Sequence, residues 1–305
     1  MTDVLDPQRT ALHGGDVDAS PPPVADRAPT RPAAGQALQV LGLLLAWTLL
    51  HLLVLSGFQH AHTQDRLYGE LRPRLAAGEG PTSAVVAPGT PLGVLSVPDV
   101  GLRDEVYVEG SRNEQLLGGP GHVAGSVLPG QQGVSVLAGR STTYGAPFRD
   151  IASLRRGAPI TVTGGQGTFT YRVEGVRTAG DPVPSPPGEK QGRLTLVSSA
   201  PSGGVLGRLR PSAMVYVDAV LDDALPASGR AAADPGTTHM TGRWDVPTLA
   251  QLVLALQLLA IALGGLLWAW RRWSRRAAWV AGAPVVLAAA WLVSSVASRL
   301  LPGLV

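Results

Sequence analysis

The chain has no cysteine and one lysine, Lys190, among its 25 basic side chains. The first absence excludes disulfides, a thiolate nucleophile and cysteine-rich metal sites, although it does not identify the compartment. The second leaves Lys190 alone for any Ser–Lys pairing. Aromatic residues make up 5% of the chain and charged residues 15%, for a formal net charge of +3. No basic stripe with interleaved aromatics appears, so the pattern of a nucleic-acid partner is missing.

What is present comes in blocks. The 305 residues have room for one or two domains with a proper core. Residues 1–36 are rich in Pro, Ala and Asp without an apolar period, and read as a disordered cytoplasmic tail. Residues 37–58, ALQVLGLLLAWTLLHLLVLSGF, have the ~20 apolar positions that cross a bilayer as a helix. His51 is the one awkward residue there, expected to find water or a neighbour rather than to relay protons. A cleaved signal peptide is the rival reading. The long leader, the length of the run and the lack of A-x-A downstream favour an anchor.

A polar linker is expected over 59–90. Residues 91–220 then carry short β-rich runs (GVLSVP, EVYVEG, VSVLAG, PITVTG, FTYRVEGV, RLTLVSS, AMVYVDAVL) separated by Gly and Pro turns. That spacing predicts an all-β barrel or sandwich with little helix. Several runs are apolar throughout, as in strands covered on both faces. A second linker is expected over 221–245, followed by spanning helices at 247–270 and 277–300, with Pro284 as a tolerated kink. Between them, residues 271–276 hold Arg271, Arg272, Arg275 and Arg276. This basic turn is assigned to the cytoplasm, which puts 59–246 and the C-terminus outside and the N-terminus inside. The fold expected is an all-β barrel, extracytoplasmic, with three transmembrane helices.

Several segments of the middle region resemble the sortase family, of the class E-like type found in actinobacteria. They are Gly93–Pro98, Val106–Gly110, Gly119–His122, Pro129–Gln131, the block Val136–Phe148 (VLAGRSTTYGAPF) and Leu194–Ser199. The family's block reads L-A-G-H followed by a polar run and Y-G-x-P-F, and its later strand ends in Thr-Cys. The resemblance implies a transpeptidase in which a Cys thiolate attacks a peptide carbonyl, a His acts as acid and an Arg stabilises the oxyanion.

Here Ser199 stands at the Cys position and Arg140 at the His position. A serine hydroxyl needs a neighbouring base, and a guanidinium does not act as one. For the oxyanion Arg, Arg208 is the first candidate and Arg210 the alternative, against a solvated Arg pair at a turn. His122, the only histidine in 91–220, is expected to make a structural hydrogen bond, a catalytic role being the alternative. Lys190 is a remote candidate base in a Pro-rich loop. Asp104, Glu105 and Glu109 read as surface acids flanking a strand rather than a calcium site, and no metal or cofactor is expected. Leu225–Gly229 (LPASG) looks like a relaxed sorting signal but is taken as coincidence in a linker.

The resulting expectation is a non-catalytic, membrane-held sortase-like protein. Its groove would bind an extended peptide, a surface protein or another sortase. The alternative is a Ser199-dependent peptidase or transpeptidase on the same scaffold. A third reading makes the helices the core of a membrane assembly, with the outer domain as a lid.

Overall fold

The structure, a computed structural model, describes residues 33–80, 86–200, 213–228, 246–272, 275–300 and 304. Residues 33–42 belong to a first unit and are helical; the remainder forms a second.

Eight strands close into a barrel: β1 Pro91–Val97, β2 Leu102–Glu109, β3 Gly121–His122, β4 Gly133–Ala138, β5 Pro159–Gly164, β6 Gly167–Thr178, β7 Gly192–Ala200 and β8 Ala213–Leu221. Around the barrel the order is β1-β2-β3-β4-β7-β8-β6-β5, and β5 returns to pair with β1. Closure leaves no free sheet edge. Two pairs are parallel, β2 with β3 and β4 with β7; the other six are antiparallel.

The interior is filled by side chains, among them Leu95, Leu137, Phe148, Ile160, Tyr171, Leu194, Leu196 and Val217. Tyr107 and Tyr171 are its polar members, and Tyr171 is fully buried. The Tyr171 hydroxyl accepts the Gly130 N–H at 2.6 Å. Burial pushes its phenol up to about 12, against the pull of that hydrogen bond, so it stays neutral.

The unbroken apolar run RLTLVSS has a structural reason. Leu194 and Leu196 point into the barrel, while Val197 joins Ala138 in a second cluster on the outer face. β7 is therefore buried on both sides over residues 192–199. β6, with one face toward water, alternates instead: Tyr171 and Val173 are buried, Arg172 and Glu174 exposed.

The helices depart from expectation. α1 runs Ala33–Leu50, a π-helical turn takes His51–Leu55, and α2 continues over Ser56–Ala76. Most of the segment expected as a linker from residue 59 is thus helix. Its contact residues are sparse. Leu67 and Leu71 pack on Val106 and Val108 of β2. Between them the Gln64 side-chain amide accepts the Val106 N–H at 2.8 Å and donates to Val106 O at 3.0 Å and Gly118 O at 2.7 Å. β3 pairs only with Val108 and Glu109, so Gln64 satisfies the strand where β3 does not reach. A single turn, α3 (Asn113–Leu116), follows β2.

Two further helices, α4 (Val246–Arg272) and α5 (Arg275–Ser298), pack through Leu259, Ala289 and Ala290, with Leu44 and Trp47 of α1 against them. Among the described residues two helical segments are long and apolar enough to cross a membrane, Val246–Trp270 and Arg276–Ser298. This corrects the expectation of three. The 37–58 run is divided at His51, which is buried with its ring edge-on to Trp291 at 4.9 Å.

Truncating Leu71, fully buried at the α2–barrel contact, leaves a cavity. Leu71→Ala is expected to cost about 2–5 kcal/mol, read as a lowered unfolding midpoint of the full chain by circular dichroism.

Candidate functional site

The site is set by the parallel register of β4 and β7. Ala138 pairs with Val197 at the end of β4, so Gly139-Arg140 lie beside Ser198-Ser199, which remain in β7 and pair with Val215 and Met214 of β8. The Gly139 N–H donates to Val197 O at 2.9 Å, and the Ser198 hydroxyl donates to Gly139 O at 2.8 Å. Glycine is required at 139 by close approach, since a Cβ there would lie 2.5 Å from the Phe148 ring. Ser199 shares the outer face of β7 with Val197 and Thr195, two and four residues back.

Ser199 is buried, 5% exposed, and its hydroxyl donates to the backbone carbonyl of Leu304 at 2.7 Å. The Ser141 hydroxyl lies 2.7 Å from Ser199 Oγ and 3.1 Å from the same carbonyl, which also accepts the Ser141 N–H at 3.1 Å. One arrangement satisfies all three groups. Ser141 O–H donates to Ser199 Oγ, and Ser199 O–H and Ser141 N–H fill the two lone pairs of Leu304 O. Neither hydroxyl nor carbonyl is a base for Ser199.

Arg140 is fully buried. Its guanidinium donates to Thr143 Oγ1 at 2.7 Å and to Asn113 Oδ1 of α3, and lies 5.3 Å from the centroid of the Tyr144 ring. Burial pulls its pKa down to about 10, with Tyr144 opposing, so the group remains a cation at neutral pH. Arg140 and Ser199 therefore occupy neighbouring strand ends, but the side chain that meets Ser199 is Ser141.

The remaining candidates separate from this cluster. His122 is buried, with Nδ1 2.8 Å from the Glu109 carboxylate and Nε2 facing Val127 O at 3.0 Å and Ser126 Oγ at 2.9 Å. It serves a structural pair on β2 and β3. Lys190 is exposed and precedes the start of β7, whereas Ser199 lies seven residues beyond Gly192, roughly 23 Å at strand rise, so no Ser–Lys pair forms. Arg208 and Arg210 lie outside the described residues.

The acids of β2 go to three separate partners: Asp104 to Ser96, Glu105 to His60 at 2.8 Å, and Glu109 to His122. No group of three metal-binding side chains occurs among the described residues. The LPAS stretch is tied to the barrel rather than free. Leu225 N–H donates to Gly130 O at 2.9 Å, Gln132 N–H to Leu225 O at 2.7 Å, and Gln131 Nε2 to Ser228 Oγ at 2.6 Å. Ala224 N–H donates to Lys190 O, so this stretch sits at the end of β7 away from Ser199.

Sequence reasoning missed Asn113, the role of Ser141, and Leu304. The first two lie in or beside quoted segments, but nothing local signals a contact to Leu304, which is 105 residues from Ser199. A cavity of about 530 Å³ opens next to the cluster, lined by Gln59, Arg66, Glu114, Tyr144, Ser295 and Arg299 among others, with neither Ser141 nor Ser199 on its wall.

Comparison with known proteins bears on the barrel. The family model described as Sortase domain matches residues 95–209. No match was found among curated proteins. Among solved structures, sortase E from Streptomyces avermitilis is similar at 27% identity over 46% of this chain and 93% of that one, with a TM-score of 0.36. A sortase D5 transpeptidase of Clostridium perfringens is similar at 20% identity over 52% and 98%, TM-score 0.43. Sortase C2 of Group B Streptococcus pilus island 1 is similar at 23% identity over 43% and 73%, TM-score 0.36.

His122→Ala would strand the Glu109 carboxylate, only 4% exposed, without its partner. It is expected to cost about 3–5 kcal/mol. Equilibrium denaturation of the variant checks this, and a loss below 1 kcal/mol contradicts the structural assignment.

Proposed function

Residues 95–209 are a sortase domain, and from that premise we propose that the chain is a membrane-anchored sortase scaffold that holds an extended peptide without cleaving it. The observation that carries this reading is the set of partners around Ser199: a second hydroxyl and a backbone carbonyl, with no proton acceptor of useful basicity bonded to it among the described residues. At the position following Leu137-Ala138-Gly139, where the family's imidazole is expected, Arg140 is a buried cation. Such a centre binds a carbonyl or an anionic group and does not generate a nucleophile. Ligands of this class are sorting-type peptides, surface proteins or another sortase.

Membrane anchoring draws support from α4 and α5, which present Leu254, Leu258, Ile261, Val280 and Val285 outward as lipid-compatible surface. The proposed orientation is an extracytoplasmic barrel with a cytoplasmic turn at 271–276. It is supported by where the helices meet the barrel. Tyr144 N–H donates to Ser56 Oγ at 3.1 Å and Tyr144 Oη lies 2.7 Å from Ser298 Oγ. The Arg-rich turn is one α5 length away, 24 residues or roughly 36 Å.

Two measurements test the reading on the full chain. Incubation with L-P-x-T-G-type peptides is expected to give no cleavage or transfer above buffer, and no labelling of Ser199 by a fluorophosphonate. Turnover that disappears in Ser199→Ala overturns the proposal and installs a serine enzyme in its place. Binding of a fluorescent sorting-type peptide is expected to weaken about fivefold in Ser141→Ala, one neutral hydrogen bond being worth about 1 kcal/mol. Unchanged binding removes the hydroxyl pair from the peptide site.

A further inference from the structure

We propose that the cavity lined by α2, α3 and the end of α5 binds the phosphate of an anionic lipid headgroup from the membrane surface beside it. The inference rests on reading α5 as a membrane-spanning helix, and it adds a ligand separate from any peptide at Ser199.

The first sign is in the sequence of α2. Gln59, His62, Thr63 and Arg66 fall at i, i+3, i+4 and i+7, which is one face of a helix. A face that packs on a core is apolar at those positions. Here Leu67 and Leu71 make the contact with β2, and the polar stripe lines about 530 Å³ of open space instead. That volume falls in the range of small-ligand sites. Across it stand Ser295 and Arg299 at the end of α5, with Glu114 of α3.

The charge on these walls is unbalanced. Among the described residues neither Arg66 nor Arg299 has a carboxylate partner. Glu70, one turn beyond Arg66, is taken by Arg74 at 2.9 Å. Glu114 is the one acid on the wall and pairs with neither arginine. Two guanidinium forks against a single carboxylate leave an excess of positive charge, and such forks match phosphate oxygens in pairs. Gln115 shares the wall, and its Oε1 is enclosed with no donor on it among the described residues. A headgroup carrying hydroxyls would supply that donor.

Depth selects a lipid over a free anion. α5 has 24 residues, roughly 36 Å of helix. A hydrocarbon core is about 30 Å thick, and about 40–45 Å with its headgroup layers. With the Arg-rich turn in one headgroup layer, Ser298 and Arg299 arrive in the other. Ser295, one turn back, carries the cavity wall toward the hydrocarbon, so phosphates of that leaflet stand at the height of Arg299.

The absence of cysteine makes the test direct, because one introduced thiol reports alone. Thr63 lines the cavity and its hydroxyl bonds only Gln59 O within α2, so Thr63→Cys in the full chain is the reporter. Its maleimide labelling is followed in dodecyl maltoside micelles. Phosphatidylglycerol is expected to slow labelling about tenfold, whereas diacylglycerol with the same chains, or inorganic phosphate at the same concentration, changes it less than about twofold. Arg66→Gln with Arg299→Gln is expected to label like the parent without lipid and to need about tenfold more lipid for protection. Glu114→Gln is expected to need less lipid, a gain that damage to the fold would not produce. Labelling that phosphatidylglycerol leaves unchanged, or slows equally in the double arginine variant, overturns the proposal. Equal protection by free phosphate overturns the lipid assignment. Flotation with liposomes separates this from the reading beneath it. A chain that stays behind in the gradient sinks the membrane anchor, while one that floats yet shows no protection sinks only the headgroup site.

Discussion

The parallel pairing of β4 with β7 is the constraint on which the site depends. It runs from Gly133↔Gly192 to Ala138↔Val197 without a bulge, and a one-residue slip would send every side chain of β7 to the opposite face. Ser199 would then point into the barrel, and the Leu304 carbonyl would lose its hydroxyl donor. The register is held by hydrophobic burial on both faces at once. Leu137, Leu194 and Leu196 belong to the interior, Ala138 and Val197 to the outer pocket. Shifting β7 by one residue would drive Thr195 into the core and break its hydrogen bond to Asp218, 2.7 Å away on β8. Asp218 also binds Arg177 of β6 at 2.7 Å, so the slip would leave that buried carboxylate with one hydrogen bond fewer.

On the proposed reading, the chemistry at those strand ends favours holding over cutting. A donor pair that binds a carbonyl equally well in the ground state and at the transition state contributes affinity without lowering the barrier. Ser199 and Ser141 satisfy the ground-state carbonyl of Leu304 with ordinary neutral hydrogen bonds, and among the described residues no base is bonded to either hydroxyl. Arg140 adds fixed positive charge nearby. Desolvating that guanidinium is costly, and the Thr143 and Asn113 hydrogen bonds with the Tyr144 ring face offset part of the cost. A cation so enclosed keeps its proton at neutral pH and therefore cannot shuttle one.

How much of this was legible in the chain follows from how local each signal is. Strands were readable because period-two and continuous apolar runs are written into neighbouring residues, and β6 and β7 show both kinds. That His122 makes a hydrogen bond was expected from its place in the GPGH segment, though its Glu109 partner was not legible. α2 was misread because its buried face is largely polar, with Ser56, His60 and the Gln64 amide beside Leu67 and Leu71, too few apolar positions to set a period. The apolar run 37–58 looked like one span because composition does not record the π-turn at His51–Leu55. Leu304 was invisible for the opposite reason: its partners Ser141 and Ser199 are brought to it by topology across 163 and 105 residues.

Tyr144 shows how the helices and the site are joined. It sits at φ 52 and Ala146 at φ 46, left-handed backbone that is costly for side chains with a Cβ. The turn persists because several contacts outside it hold that geometry. Phe148 N–H closes back on Arg140 O at 3.0 Å, Ser56 at the start of α2 accepts the Tyr144 N–H, and Ser298 at the end of α5 meets its hydroxyl. The loop carrying Arg140 and Ser141 is thereby fastened to two helices that arrive from different parts of the chain. Parting α2 from α5 must release a bond to Tyr144, and releasing either removes support from a strained turn whose first two residues bind Asn113 and Leu304. Helix packing and the occupancy of the groove thus act on the same few bonds, which makes them energetically coupled wherever one of the two is free to change.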